Sequence, residues 1–185
     1  MLRTRAALGT IGISFFIACG CGSREESLGC AELVVSCPAG TEQQWWLAKE
    51  PTSRQRLQIQ GRECGSWLAF IEDGATARYD NVDLGNREGE MRLRVVVSAD
   101  DASTTGGTLT LFADSDTTTP VASCTVPTTG GWFNWLVVDC GPLPLGGLHS
   151  LTFKFNGTAQ YVFNFAAFGV VRSGDPDCVV TGPKH

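Results

Sequence analysis

A tryptophan at a turn and an asparagine in an aromatic run have the clearest binding chemistry in this chain. Trp132 follows Thr129-Gly130-Gly131, and Asn164 lies in the run Y-V-F-N-F at positions 161–165. A flat aromatic face can stack on the apolar C–H side of a sugar ring, and an amide can hydrogen-bond the hydroxyl groups. Two glycines allow the Trp132 ring to stand at the end of the folded body, where it is a candidate for stacking on a ligand; the alternative is a partly buried turn residue that only holds the hairpin. Trp135 points to the opposite side of the same predicted strand; we expect it in the core and keep it as a lesser candidate.

Catalysis would instead need a pair of carboxylates or a nucleophile with a base. Glu72, Asp73 and Asp80 could do acid–base work, but carboxylates at strand ends are common and no second motif supports them. No G-x-S-x-G, H-E-x-x-H or phosphate-binding loop occurs in the sequence. We therefore expect no catalytic residue and no enzyme activity.

Short apolar runs separated by turn clusters predict an all-β fold. The predicted strands cover residues 57–60, 67–72, 91–98, 108–113, 121–126, 133–140, 148–155 and 161–171. In one of them, Leu151, Phe153 and Phe155 alternate with polar residues, as in a strand with one buried face. No stretch of useful length has an apolar stripe at helical spacing. Short strands at such close spacing indicate a β-sandwich or a barrel.

Residues 1–18 have the features of a secretory signal peptide. Two arginines precede an uncharged apolar run that ends at Ala18 and is too short to span a bilayer as a mature helix. The cysteine after this run resembles the acylation site of a bacterial lipoprotein, and either Cys19 or Cys21 is the candidate for lipidation. Residues 19–29 would then tether the folded body to the lipid. The alternative is a soluble secreted protein whose signal is cleaved nearby.

The cysteines predict disulfides. If Cys21 carries the lipid, six cysteines remain: Cys30, Cys37, Cys64, Cys124, Cys140 and Cys178. An exported protein meets an oxidising compartment, and six cysteines allow 15 connectivities. Cys124 and Cys140 flank a turn on consecutive predicted strands and could pair across a ladder. Cys30 and Cys37 could close a small loop, which leaves Cys64 for Cys178. A metal site is less favoured, because no C-x-x-C occurs and both histidines lie far from any cysteine cluster.

The charge balance argues against one class of partner. Without the first 18 residues, 12 Lys and Arg stand against 19 Asp and Glu, a formal charge of −7. An acidic surface with no basic run does not suit a phosphate backbone, so we expect no nucleic-acid partner. About 165 mature residues suffice for one well-buried domain with a short extra segment.

Several segments occur in the order typical of a known family. They are I-E-D-G-A-T-A-R-Y-D-N-V-D-L-G (71–85), S-T-T-G-G-T-L-T-L (103–111), V-P-T-T-G-G-W-F-N-W (126–135), G-G-L-H-S-L-T-F-K-F-N-G (146–157) and Y-V-F-N-F (161–165). Over residues 57–172 the chain thereby resembles a family-six carbohydrate-binding module, a galactose-binding-like jelly-roll β-sandwich. The resemblance implies that Trp132 stacks on the sugar and that Asn164 hydrogen-bonds it. Family members also place a His in the turn that opens a strand, which indicates a structural hydrogen bond for His149.

Two segments flank the resembling region. Residues 30–56 contain cysteines and the pair Trp45-Trp46, and residues 173–185 form a C-terminal tail. We predict that residues 30–56 are a disulfide-closed cap packed on the sandwich with both tryptophans buried. The alternative is that the cap presents them outward.

The chain also departs from the family pattern. Family members have a second aromatic residue shortly after the glycine that aligns with Gly74, where it forms the opposite wall of the sugar slot. Ala75 and Thr76 occupy those positions here. Loss of one aromatic wall could weaken binding about tenfold, unless Tyr79, Trp45 or Trp46 substitutes for it.

The family tends to hold a structural calcium ion, and here its ligands are replaced. The resemblance places Gln60, Arg62 and Ala166 where acidic residues would bind the ion, so few carboxylate oxygens remain for a hard cation. We therefore expect no metal and no cofactor. The acidic clusters at 100–101 and 114–116 lie in predicted turns and indicate Asx turns rather than metal sites.

The hypothesis from the sequence is a lipoprotein at the bacterial cell envelope, on the outer membrane or the cell surface. Its single sandwich would bind a polysaccharide or a cell-wall glycan without altering it. The alternative is a structural or protein-interaction sandwich that has lost the sugar site. An open groove with a replacement aromatic wall beside Trp132 and Asn164 would favour binding, whereas a filled groove would favour the alternative.

Overall fold

The computed structural model describes residues 33–62, 65–85 and 90–182. These residues form strands and turns, and none of their segments is a helix that could cross a membrane. Their thirteen strands are β1 (Val34–Ser36), β2 (Gln43–Leu47), β3 (Ser53–Gln55), β4 (Gln58–Arg62), β5 (Gly65–Ala69), β6 (Ala75–Asp83), β7 (Met91–Ala99), β8 (Gly107–Ala113), β9 (Ala122–Val126), β10 (Gly131–Pro142), β11 (Leu148–Asn156), β12 (Asn164–Arg172) and β13 (Val179–Thr181). The predicted signal peptide and tether, with Cys19 and Cys21, lie outside the described residues.

Most of the strands form two antiparallel sheets that pack face to face. The six-stranded sheet has the order β10-β7-β12-β5-β4, and β2 also pairs with β12. The five-stranded sheet has the order β3-β6-β11-β8-β9. Strands that are neighbours in space are mostly distant in sequence, as in a jelly roll. The predicted all-β jelly-roll sandwich is confirmed.

An aromatic core lies between the two sheets. On β11, Leu151, Phe153 and Phe155 are fully buried and alternate with polar residues, as predicted from the sequence. The rings of Phe165 and Phe168 on β12 lie 5.2 and 4.9 Å from the ring of Phe153. These contacts join the centres of both sheets.

A second apolar cluster covers the outer face of the six-stranded sheet. It is built on Trp67, Val96 and Ala166 together with two further alanines. The antiparallel pair of β1 and β13 contributes Val35 and Val180 to this cluster. Because apolar residues pack on both of its faces, β12 is buried over nearly its whole length.

Of the segment before residue 57, β2 and β3 are part of the sandwich rather than of a cap, because β2 pairs with β12 and β3 pairs with β6; only β1 lies outside both sheets, paired with β13. Trp46 stacks on Phe168 with 5.3 Å between ring centroids, so it belongs to the main core. Trp45 packs against the outer cluster and lies over Gly169, where a Cβ atom would come within 2.5 Å of its ring. Both tryptophans are packed, one on each face of the sheet.

Two disulfides are formed by the described residues. Cys124 bonds to Cys140, the pair expected from the sequence, but the bond joins β9 and β10 at the edges of different sheets instead of crossing one ladder. Cys37 bonds to Cys178 and so links the two ends of the described chain. The expected pairs of Cys37 with Cys30 and of Cys178 with Cys64 are therefore wrong. Cys30 and Cys64 themselves lie outside the described residues.

Candidate functional site

A groove opens at the end of the sandwich where β5 ends and where β10 and β12 begin. Its volume is about 510 Å³. It is lined by Gln60, Ala69, Phe70, Ser103, Trp132, Phe133, Gln160, Tyr161 and Asn164. The two residues singled out in the sequence, Trp132 and Asn164, therefore lie in one groove. None of the described residues that line it carries a charge.

The turn before Trp132 is held by Gly130 and Thr129. Gly130 has a φ of 80°, in the left-handed region that glycine adopts without strain. The Thr129 N–H donates to the Ala99 carbonyl oxygen at 2.8 Å, and the Ala99 N–H donates to Thr129 Oγ1 at 2.9 Å. This turn leads directly into β10, and it therefore positions Trp132, the second residue of that strand, at the groove.

Asn164 is only 4% exposed, and two acceptors orient its amide. Its Nδ2 donates to the Trp132 carbonyl oxygen at 2.9 Å and to Ser98 Oγ at 3.3 Å. A carbonyl oxygen can only accept, so the nitrogen of the Asn164 amide must face it. The Oδ1 atom is thereby turned away and is available as an acceptor for a hydroxyl group.

Phe70 and Tyr161, which were not predicted from the sequence, add aromatic surface to the groove. Their ring centroids lie 5.3 Å apart with the planes at 82°, and the Val162 N–H donates to the Ile71 carbonyl oxygen at 2.9 Å beside them. Phe70 is 40% exposed and has a φ of 51°. This left-handed backbone is strained for a bulky residue, and such strain is concentrated at functional positions.

From the sequence, the second aromatic wall of the groove was placed at Ala75 and Thr76, and this placement is wrong. On β6, Ala75 and Tyr79 point into the core, so Thr76 between them lies on the outer face of the five-stranded sheet, opposite Lys154. Thr76 does not line the groove. The absence of an aromatic ring at this position therefore takes no stacking surface away from the groove. Phe70 supplies aromatic surface instead. The signal for it in the sequence was an aromatic residue immediately before the I-E-D-G turn.

The other aromatic candidates lie outside this groove. Tyr79 is 6% exposed, and its hydroxyl donates to the Ala48 carbonyl oxygen at 2.7 Å. Burial also raises the pKa of the Tyr79 phenol. Trp135 packs edge-on against Trp67 in the outer cluster, with 5.6 Å between ring centroids. Tyr79 and Trp135 are thus packing residues, as are the two tryptophans of β2.

Each of the carboxylates considered for catalysis has its own structural partner. Glu72 pairs with Arg56 at 3.2 Å. Hydrogen bonds from Asn156 and from the Gly157 backbone lower the pKa of Asp73, and a hydrogen bond from Ser150 lowers the pKa of Asp80. None of the three lines the groove.

The positions that the resemblance assigned to calcium do not fit a hard cation. Ala166 is fully buried in the outer apolar cluster, and Gln60 lines the groove. The described residues contain no group of three His, Cys, Asp or Glu side chains that could hold a metal ion. Asp116 Oδ1 instead accepts hydrogen bonds from the backbone N–H groups of Thr118 and Thr119, as in an Asx turn.

His149 makes structural hydrogen bonds, as expected. Its Nδ1 lies 3.0 Å from Asp114 Oδ2, and its Nε2 lies 3.1 Å from the Gly146 carbonyl oxygen. Both ring nitrogens face acceptors, and only the protonated ring can donate to both at once. The hydrogen bond to Asp114 therefore raises the pKa of His149 above its usual value near 6.5.

Comparison of this chain with known proteins identifies its family. The model of the carbohydrate binding module (family 6) matches residues 48–172 of this chain. The chain belongs to this family. The match begins nine residues before the region of resemblance assigned from the sequence, and it includes β3 and most of the described residues.

Two kinds of relative support this assignment. Endo-1,4-beta-xylanase A of Thermoclostridium stercorarium is 28% identical over 115 residues, which are 62% of this chain and 21% of that protein. The chain thus spans about a fifth of the length of this curated relative. A family 6 module from Clostridium cellulolyticum in complex with xylose is 28% identical, with a TM-score of 0.60, over 68% of this chain and 94% of that one. A β-1,3-glucan binding module from Bacillus halodurans has the same fold, with a TM-score of 0.60 and 24% identity over 70% of this chain and 96% of that one.

The contact of His149 with Asp114 predicts a pH-dependent stability. Because the folded state raises the pKa of His149, the stabilisation is complete below pH about 6.5 and is lost as the pH rises through the folded pKa. His149→Gln should therefore lower the melting temperature by about 1–2 °C more at pH 5.5 than at pH 8.5. Asp114→Asn should lose the same pH dependence. Equal effects of His149→Gln at both pH values, measured by differential scanning calorimetry, would contradict this assignment.

Proposed function

We propose that this protein binds an uncharged polysaccharide in the groove of Phe70, Trp132 and Asn164 and does not cleave it. The observation that carries the proposal is that Phe70 and Trp132 both present aromatic surface to the groove that Asn164 also lines. Aromatic faces supply the stacking surface for a sugar ring. The free Oδ1 of Asn164 supplies an acceptor for a sugar hydroxyl.

The rest of the groove suits a neutral ligand. Gln60, Ser103 and Gln160 add amides and a hydroxyl to the lining, and the described lining residues include no acidic or basic group. Neutral donors and acceptors can hydrogen-bond hydroxyl groups without placing a charge against an uncharged ring. These groups favour a neutral sugar polymer over one that carries uronic acids.

The proposal of binding without catalysis rests on the carboxylates. Glu72, Asp73 and Asp80 are held in separate hydrogen bonds and ion pairs away from the groove. The alternative hypothesis, a structural or interaction sandwich that has lost its sugar site, required a filled groove with no second aromatic wall. The open groove and Phe70 argue against it.

Two relatives suggest which polymer should be tested first. The module from Clostridium cellulolyticum was solved with xylose, and the curated relative is a xylanase. Both are 28% identical to this chain. We infer that a xylan is the first candidate ligand.

We also propose that the protein is exported and is held at the cell envelope by a lipid. The two disulfides are typical of proteins that fold in an oxidising compartment. Residues 1–18 have the pattern of a signal peptide, Cys19 or Cys21 would carry the lipid, and residues 19–29 would be the tether. A tethered module of this kind would hold a polysaccharide or cell-wall glycan close to the cell.

Lipidation is tested by labelling the full chain in a bacterial host with radioactive palmitate. We expect label in the wild type, its loss in one of the single variants Cys19→Ala and Cys21→Ala, and its loss in the double variant. Protein that has lost the label should leave the membrane fraction. Label that persists in the double variant, or an unlabelled wild type, would show that the anchor was assigned wrongly.

Sugar binding is tested by affinity gel electrophoresis against soluble xylan, mixed-linkage β-glucan and a polyuronate. We expect retardation by a neutral polymer, and a loss of affinity of about tenfold or more in Trp132→Ala and in Phe70→Ala, because each removes a stacking face. Trp45→Ala, which removes a tryptophan away from the groove, should keep its affinity. If no neutral polymer retards the wild-type protein, the proposed sugar binding is wrong and the structural or interaction role is favoured.

A further inference from the structure

We propose that Ser98, which does not line the groove, is a positioning residue that holds Trp132 and Asn164 in register with each other. This inference rests on the proposed function, because it concerns the same groove. Ser98 lies on β7, between β10, which carries Trp132, and β12, which carries Asn164. It is 0% exposed, and its hydroxyl group is hydrogen-bonded to Trp132 and Asn164.

The three residues form a closed set of hydrogen bonds. Ser98 Oγ donates to the Trp132 carbonyl oxygen at 2.6 Å and accepts from Asn164 Nδ2 at 3.3 Å. Asn164 Nδ2 also donates to that carbonyl oxygen at 2.9 Å. One hydroxyl group therefore touches the backbone of the aromatic residue and the side chain of the amide residue.

The ladder of β7 with β10 is irregular at Ser98, whereas the ladder of β7 with β12 still pairs Ser98 with Asn164 and becomes irregular only beyond the next pair. Between β10 and β7, Gly131 pairs with Ala99, but the next pair is Leu136 with Val97. Residues 132–135 thus stand opposite Ser98 alone, without regular partners. On the other side, the ladder of β7 with β12 shifts just after Phe165. Bulges of this kind re-aim side chains next to functional sites, and here side-chain hydrogen bonds fix the bulged strand.

The direction of the Asn164 amide is the consequence for binding. The Asn164 Nδ2 group donates toward both the Trp132 carbonyl oxygen and Ser98 Oγ, so the amide group cannot rotate without losing hydrogen bonds in a buried place. Oδ1 is then held toward the groove before a ligand arrives. A binding group that is already oriented loses less freedom when the ligand binds.

Removal of the Ser98 hydroxyl should weaken binding through Asn164. We expect Ser98→Ala to raise the dissociation constant for xylohexaose about five- to tenfold in calorimetry on the full exported protein. In an Asn164→Ala background the same change should cost less than twofold, because the residue through which Ser98 acts is gone. Ser98→Cys, which fills the site with a slightly larger group that is a weak donor, should behave like Ser98→Ala. Leu109→Ala in the opposite sheet serves as a destabilised control that keeps its affinity.

A second measurement reports the position of the amide without any sugar. In ¹H–¹⁵N spectra, the side-chain amide signals of Asn164 are identified by their absence in Asn164→Ala. We expect Ser98→Ala to shift these signals and to speed their exchange with deuterated water. Unchanged signals, or equal losses of affinity in the wild-type and Asn164→Ala backgrounds, would overturn the inference. If the wild type binds no oligosaccharide, the proposed function fails, and the amide signals still decide the role of Ser98.

Discussion

The packing of Phe153 against Phe165 and Phe168 is the contact on which the rest of the sandwich depends. Phe153 lies at the centre of the five-stranded sheet, and the other two rings project from β12 in the six-stranded sheet. Because Asn164 directly precedes Phe165, the burial of these rings also fixes the start of β12 at the groove. A core contact and a binding group are thus coupled through one strand.

The same strand is constrained on its outer face. Ala166, Ala167 and Gly169 are small because the outer apolar cluster and the ring of Trp45 lie directly on them. β12 has β7 on one side and both β2 and β5 on the other, so little of it can move. The groove lies at the end of this rigid strand, where the ladders become irregular and loops contribute Phe70 and Tyr161.

The strands with strong apolar alternation could be predicted, and those with small residues could not. β11 shows Leu151, Phe153 and Phe155 at every second position, which makes its buried face plain. β6 buries Ala75 and Ala77 instead, so its alternation carries little hydrophobic signal, and it was not predicted as a strand. The segment with Trp45 was taken for a cap because pairing with β12 is a long-range contact that leaves no local pattern. The partner of Cys37 was missed for the same reason.

Part of the candidate site could be predicted from the sequence. Trp132 and Asn164 stand in local motifs, and the structure places them in one groove. Phe70 was missed because a single aromatic residue before a turn is a weak signal, and its left-handed backbone and its contact with Tyr161 are seen only in the structure. Ser98 was missed because nothing in the sequence distinguishes it from any other serine in a buried strand. Its role is indicated only by its hydrogen bonds to Trp132 and Asn164 in the structure.

The five tryptophans serve as separate probes of sugar binding at the groove. Each gives one indole N–H signal in a ¹H–¹⁵N spectrum, and Trp132 is the one that lines the groove. On titration with xylo- and gluco-oligosaccharides, we expect the Trp132 signal to shift while those of Trp45, Trp46, Trp67 and Trp135 stay in place. A saturating shift at another tryptophan with Trp132 unchanged, or no shift with any sugar, would contradict sugar binding in this groove.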